Sequence, residues 1–303
     1  FWLGDLTRSG NPFWGQAFSF DSSPMLKRLT HIVEKQGKSR VKVIYDGRNP
    51  SKKDRYPAVS PIALRQSNAL YHQKIYLSGD QGIISTGNLS TSAEDPNKQI
   101  NLTLAFDNEH LTRILKENSE AILFNKKSAV ECNQSLLVGD QEIELWYTPD
   151  SDHLVENRIL ELLDKAEPND HLHIAIFTFT SWKVARKIID LHNSGVNIHF
   201  HVDRSQTYRI PMQKSIIQAL LKAGIPVRVN RKGTLHTKSI ALKGKNTEFL
   251  VTGSLNYTKA GIERNYEIVT VIPKLNLSQS DQIAEYHRFL AQKTKPIKLS
   301  KLH

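Results

Sequence analysis

His72-Gln73-Lys74 with Ser85-Thr86-Gly87-Asn88 downstream, and His236-Thr237-Lys238 with Thr252-Gly253-Ser254-Leu255-Asn256 downstream, are two versions of one passage. Each runs on to a second amide and a hydrogen-bonding partner, Asn97 with Gln99 in the first and Asn265 with Glu267 in the second. Asn88 and Asn97 are 9 residues apart, as are Asn256 and Asn265. A lone His-x-Lys arises by chance in many chains, but two with matched downstream spacing mark a repeat. The chain therefore reads as a tandem duplication whose halves share one active site.

Working outward, Leu172 to Phe179 is an apolar, β-rich run expected to form a buried strand. Ser181 then caps a helix with Val184, Ile188 and Leu191 inward, Gly195 stops it, and strand Val196 to Val202 ends at Asp203. This βαβ unit implies parallel strands and a right-handed crossover. The first half offers Phe18 to Phe20 as the strand, Ser23 as the cap and Pro24 at the first helical position. Leu26, Leu29 and Val33 give the apolar face, Gly37 the stop, and Val41 to Tyr45 the next strand, ending at Asp46. Strands around Pro61 to Arg65 and Val227 to Val229 lead into the two histidine segments. Phe124 to Gln141, with Lys126-Lys127, reads as the junction, placing one repeat at 1–130 and the other at 131–303. A strand at Glu142 to Tyr147, a helix at Leu154 to Leu163 and a last helix at Gln282 to Leu290 complete the expected elements. The fold class is α/β: two repeats, each a mixed, mainly parallel sheet flanked by helices, packed as a pseudo-twofold dimer within one chain.

With 303 residues there is room for two domains of ordinary size. No stretch approaches the roughly 18 uninterrupted apolar residues of a membrane span. The formal net charge of +11 favours a polyanionic partner, either nucleic acid or an anionic membrane surface. Cys132 is the only cysteine, which excludes an intrachain disulfide and a cysteine zinc cage. The chain starts Phe1-Trp2-Leu3 without methionine, compatible with a removed targeting peptide or a trimmed end.

Histidine has an ordinary pKa of about 6.5, so it can serve as nucleophile or as general acid near neutral pH. Side chains alternate along a strand, so Lys74 shares a face with His72 and Lys238 with His236. Adding Asn88 and Asn256 as amide donors gives a clamp with two cations, suited to the charge of a phosphoryl transition state. Thr86, Ser254, Asn97 and Asn265 are expected to help bind substrate. His171, His173, His199 and His201 alternate on two strands, and with no cysteine nearby they read as ordinary strand residues; no metal and no cofactor is expected. Arg228, Arg231-Lys232 and Lys52-Lys53-Asp54-Arg55 are candidates for a phosphate track, or else solvated loops. Asn88, Asn101, Asn133, Asn256 and Asn276 each begin an Asn-x-Ser/Thr sequon.

The paired segments resemble the phospholipase D superfamily, whose signature is His-x-Lys followed by a Gly-Ser-x-Asn turn, and the resemblance covers about Phe18 to Ile272. The second copy is similar to the metal-independent nuclease branch; Tyr257-Thr258-Lys259-Ala260 departs from the Asn-x-Asp-x-Arg-Ser of cardiolipin synthase-like members. The family's aspartate, five positions after the lysine, falls on Gly79 and Lys243. Tyrosyl-DNA phosphodiesterases also lack it and pair a Gln in one copy with a Glu in the other, as Gln99 and Glu267 do here. The resemblance implies a covalent phosphohistidine intermediate formed without a metal. A carboxylate behind an imidazole favours its protonated form. His236 backed by Glu267 is therefore expected as the general acid, and His72 backed by Gln99 as the nucleophile.

The function expected from sequence is metal-independent hydrolysis of nucleic acid, DNA or RNA, by a monomer with both site halves in one chain. A phospholipase D or phosphatidyltransferase acting on lipid headgroups is the alternative. A weakly catalytic nucleic-acid-binding module is the second alternative.

Overall fold

The computed structural model describes residues 6–7, 10–48, 59, 62–64, 69–123 and 132–302. The expectations for Lys52 to Arg55 and for Lys126-Lys127 lie outside the described residues. A six-stranded sheet is built from β1 (Phe13–Ala17), β2 (Val41–Asp46), β3 (Ile62–Leu64), β4 (Ile75–Ser78), β5 (Gln81–Ser85) and β7 (Thr103–Asp107), in the order β3-β2-β1-β4-β5-β7. The short β6 (Gln99–Ile100) stands apart from it. A nine-stranded sheet takes β8 (Asn133–Val138), β9 (Gln141–Thr148), β10 (His171–Ile176), β11 (Asn197–Val202) and β12 (Val227–Asn230). It continues with β14 (Lys238–Lys243), β15 (Glu248–Gly253), β16 (Glu267–Ile272) and β17 (Thr294–Pro296), while β13 (Thr234–Leu235) pairs with β6 of the other half.

The chain is α/β with mixed sheets flanked by helices. Parallel ladders join β1 to β2, β2 to β3, β10 to β11 and β11 to β12. The remaining ladders within the two sheets are antiparallel, so the sheets are not mainly parallel. The cause is local. The strands that follow each histidine, β4 and β14, fold back as hairpins onto β5 and β15, a connection only antiparallel neighbours permit.

Two boundaries move from their expected places for physical reasons. The first strand is Phe13–Ala17, not Phe18 to Phe20, because both phenylalanines leave the ladder. Phe18 turns toward His72, with ring centroids 5.1 Å apart, and Phe20 makes an isolated bridge to Leu89. The second half does the same: β10 ends at Ile176, Phe177 meets the His236 ring at 4.8 Å, and Phe179 bridges to Tyr257. The helix cap is Ser22, whose Oγ accepts from the Met25 amide at 3.2 Å, so Ser23 opens the helix Ser23–Gln36. Ser181 caps Trp182–Asn193 in the same way through Val184.

Residues 133–138, expected within the junction, form edge strand β8, turned onto β9 through Gly139 at φ 60°. Polar Asn133, Gln134 and Ser135 suit an edge facing water. The last helix runs from Leu277 to Lys293, longer than expected, because Asn276 and Gln279 form a reciprocal capping box ahead of it.

One face of the larger sheet packs Leu172, Ile174, Ile198 and Phe200 against the helices Leu154–Leu163, Trp182–Asn193 and Pro211–Lys222. Leu277–Lys293 covers part of the other face, with Leu290 against Ala175. A further cluster joins the halves, packing Ile44, Tyr71 and Ile75 with Tyr147, Tyr266 and Ile268. This apolar seam supports the site.

Candidate active site

The site is built by backbone that crosses between halves. His72 donates its amide to the Tyr266 carbonyl at 2.9 Å, and Tyr266 donates to Leu70 at 2.8 Å. In mirror fashion, His236 donates to Ile100 at 2.9 Å, and Thr234 to Lys98 at 2.9 Å. Each histidine is thus held at the edge of the opposite repeat. The residue before it is held from its own side by the aspartate ending a parallel strand: Asp46 accepts the Tyr71 amide at 2.8 Å, and Asp203 the Leu235 amide at 2.9 Å. Both carboxylates, which end equivalent strands, are positioning residues.

The bonds that recur align the halves more accurately than residue counting does. Ser254 donates its amide to Ile268, and its Oγ accepts from the Ile268 amide at 3.0 Å; Thr86 makes the same exchange with Leu102. Ser254 Oγ then donates to Glu267 at 2.6 Å, and Thr86 Oγ1 to Asn101 at 3.2 Å. The structural counterpart of Glu267 is therefore Asn101, not Gln99, and the counterpart of Gln99 is Asn265. The loop after Asn88 is two residues longer than the loop after Asn256, since Asn101 follows Asn88 by 13 and Glu267 follows Asn256 by 11. The equal spacing of Asn97 and Asn265 was coincidental; Asn97 is exposed on that longer loop.

The expected pairing of histidines with carboxylate and amide is also overturned. Glu267 contacts His72, not His236: His72 Nδ1 lies 2.6 Å from Glu267 Oε2. The same carboxylate accepts from Ser254 Oγ and, at 3.3 Å, from Asn265 Nδ2. Gln99 turns instead to Asn101, whose Nδ2 donates to it at 3.1 Å. His236 Nδ1 meets Lys238 Nζ at 3.2 Å. Ser254, Thr86 and Asn265 therefore brace the residues behind the histidines, and Ser254 and Thr86 are wholly buried.

Burial and charge set the protonation states. Burial pushes His72 down to about 4, against the nearby Glu267 carboxylate, with Lys74 adding to the fall. Burial also raises Glu267, but His72 and Lys74 outweigh it and hold the carboxylate ionised. Within this pair the proton sits on His72 Nδ1 and is donated to Glu267, leaving Nε2 with its lone pair. Burial, then Lys238, Lys74 and His72, push His236 well below its ordinary value. Lys238 Nζ faces Nδ1 of this ring, while the Thr86 backbone, hydrogen-bonded to the ring, favours its protonated form. One imidazole is thus set against a carboxylate and the other against a lysine. Burial lowers Lys74 to about 7 and holds Lys238 well below its ordinary value, so both amines are poised to take or keep a proton when an anion arrives.

Lys74 Nζ donates to the His72 carbonyl, and Lys238 Nζ to the His236 carbonyl at 2.6 Å. Phe18 and Phe177 lie beside these ammoniums, 5.9 and 5.1 Å from ring centroid to Nζ. The Oδ1 atoms of Asn88 and Asn256 are buried without a protein partner, as amides awaiting a ligand would be. Arg228 is tied to Thr294 and Ala291 rather than lining this cluster. Phe18, Phe177 and Asn101 are missing from the sequence-derived set. The repeated Phe-x-Phe-x-Ser at Phe18 to Ser22 and Phe177 to Ser181 was the signal for the first two.

Fold and site together define a duplicated α/β protein in which two His-x-Lys pairs converge at the seam between halves. Residues 159–288 match the family described as "Cardiolipin synthase, PLD-like domain". Over that stretch the chain is similar to the phospholipase D superfamily. It is 32% identical over 145 residues to a mitochondrial cardiolipin hydrolase of Chlamydomonas reinhardtii, covering 47% of this chain and 60% of that one. It is 28% identical over 123 residues to a phospholipase D of Rickettsia conorii, covering 40% and 58% of the two chains. The matched stretches thus span little more than half the length of these relatives. A phosphatidylserine synthase of Haemophilus influenzae shares the fold over 99% of this chain and 86% of its own, with a TM-score of 0.77 at 12% identity.

Proposed function

We propose that the chain is a phosphodiesterase acting on phospholipid headgroups through a phosphohistidine on His72. The observation that carries the reaction is the Glu267 contact to His72 Nδ1, which leaves Nε2 free to attack. In the first step the Nε2–P bond forms and the P–O bond to the leaving group breaks. His236 gives its proton to the departing oxygen. In the second step water attacks phosphorus, His236 takes the water proton, and the P–N bond breaks to regenerate His72. A neutral imidazole is too weak an acid for this step, but an incoming phosphate offsets the two lysines that hold His236 neutral, so the ring takes up a proton as substrate binds and gives that proton to the leaving oxygen. Lys74, Lys238, Asn88 and Asn256 stabilise the charge spread over the phosphoryl oxygens.

The names of the matched relatives support the lipid class of substrate, which reverses the order of preference taken from sequence. The charge of +11 suits anionic headgroups, and it also favours a second reading, cleavage of nucleic-acid phosphodiesters. The departure at Tyr257-Thr258-Lys259-Ala260 is the sequence feature on the side of that second reading.

The test offers phosphatidylcholine vesicles containing cardiolipin or phosphatidylglycerol, and separately end-labelled single-stranded DNA and RNA, all in excess EDTA. Headgroup release that His72→Ala abolishes is the expected result. Polynucleotide cleavage without lipid turnover would favour the second reading, and salt-sensitive polynucleotide binding without any turnover would favour a binding module.

A further inference from the structure

The face of the larger sheet under the helix Leu277–Lys293 carries an array of histidines that the phosphodiesterase site does not use. His171 and His173 lie two apart on β10, and His199 sits on β11 directly beside His173. Their neighbours Leu172, Ile174 and Ile198 point into the apolar core on the other side, so strand alternation forces the imidazoles together. The rings of His173 and His199 stack at 4.4 Å with planes 10° apart, and His287 of the covering helix stacks on His173 at 4.2 Å. A cavity of about 450 Å³, lined by His173, His199, His201, Arg228, Lys243 and His287 among others, lies between sheet and helix.

We propose that His171, His173 and His199 form a three-nitrogen site for a divalent transition-metal ion of the zinc, nickel or copper class. One ring nitrogen from each residue falls within a 4.8 Å cluster. Within it, His171 Nδ1 and His199 Nε2 are 3.1 Å apart. Two imidazoles on one tetrahedral zinc, at about 2.0–2.1 Å each, stand about 3.3 Å apart, so this pair is already near chelating distance. His173 Nδ1 is buried and has no hydrogen-bond partner among the described residues. His201 lies outside this cluster, with its Nδ1 on Thr294 Oγ1 at 3.1 Å.

The donor set selects the ion. Three imidazoles with no carboxylate suit zinc, nickel or copper, whereas calcium and magnesium want oxygen. Ligating imidazoles must be unprotonated. Three ligands leave a position open to water or an anion, and Arg228 and Lys243 on the cavity wall favour the anion. The site sits at the N-terminal end of β10, whereas Phe177 and His236 lie beyond its C-terminal end. It is separate from the phosphoryl-transfer cluster.

The test titrates Zn²⁺ alone into the chelator-stripped, desalted full chain by calorimetry, with bound metal counted by mass spectrometry. One Zn²⁺ per chain is expected at micromolar or tighter affinity. His171→Ala with His199→Ala should weaken it at least about 100-fold, while His72→Ala with His236→Ala leaves it unchanged. His171 is exposed, so the single His171→Ala variant keeps its fold and should lose both tight binding and the rise in Tm that Zn²⁺ gives the parent. Absence of saturable binding, binding that survives both sheet substitutions, or binding lost with the His72 and His236 pair would each overturn the proposal.

Discussion

The two His-x-Lys pairs occupy matching positions yet set their imidazoles against different partners. His72 has behind it a carboxylate from the other half, braced by Ser254 and Asn265. The corresponding place in the first half holds Asn101, braced by Thr86 and Gln99, and His236 leans on its own Lys238. On the proposed mechanism, a single exchange of carboxylate for amide divides the labour between two otherwise similar histidines: one offers a lone pair and the other a proton. Similarity in sequence therefore does not imply similarity in role.

The largest expected effect comes from the histidines themselves. His72→Ala should lower turnover by at least about 10⁴-fold. His236→Ala should do the same with an alkyl leaving group, but with a nitrophenyl phosphodiester it should still trap a phosphoryl adduct. Peptide mapping of that adduct to His72 sharpens the contrast; mapping to His236 breaks it.

Next come the residues behind them. Glu267→Gln should reduce kcat by roughly 10²–10³-fold, whereas Asn101→Ala should cost about 10-fold or less, because only the first removes a charge that fixes a tautomer. Equal losses would remove the basis for assigning different roles.

A pH profile tests the same carboxylate more gently. His72 must be neutral to attack, and burial has lowered it to about 4, so kcat should hold from neutral pH downward and fall as pH passes through that value. Glu267 opposes that lowering, while Lys74 and Lys238 reinforce it. Glu267→Gln should therefore move the acid limb lower still, and a shift to higher pH would contradict the arrangement. The smallest effect is expected at Asn97. Exposed on its loop, Asn97→Ala should change kcat by less than about 2-fold, and a tenfold loss there would restore the alignment taken from residue counting.

Much of this molecule was legible in its residues, and the failures have particular causes. The helix Leu154–Leu163 falls where its apolar spacing placed it, and strand β2 follows Gly37 as expected. His72, Lys74, His236 and Lys238 converge because the backbone leading into each histidine pairs with the other half, Tyr71 with Tyr266 and β13 with β6, and the repeat itself announced a shared site. What failed was anything that crossed between copies. Spacing along the chain aligned Gln99 with Glu267, because a loop two residues longer in one copy leaves no local trace. Nor could spacing show that Glu267 reaches the other histidine, since that contact joins residues 195 apart. The phenylalanines at 18 and 177 were taken as strand, because apolar residues beside a strand carry the same pattern whether they pair or turn away. That the imidazoles on β10 and β11 cluster was not legible either, since spacing within one strand says nothing of its neighbour.

The backbone bonds from His72 to Tyr266 and from His236 to Ile100 have a dynamic consequence. Both catalytic strands are fastened by amides that belong to the seam, not to either core. A brief parting of the halves, well short of melting either sheet, would release both histidines at once and draw Glu267 away from His72. Competence would then vanish in a breathing motion that leaves the secondary structure intact, and the amides of His72 and His236 would exchange with solvent as one cooperative unit. Chemistry in this chain would be a readout of its closure.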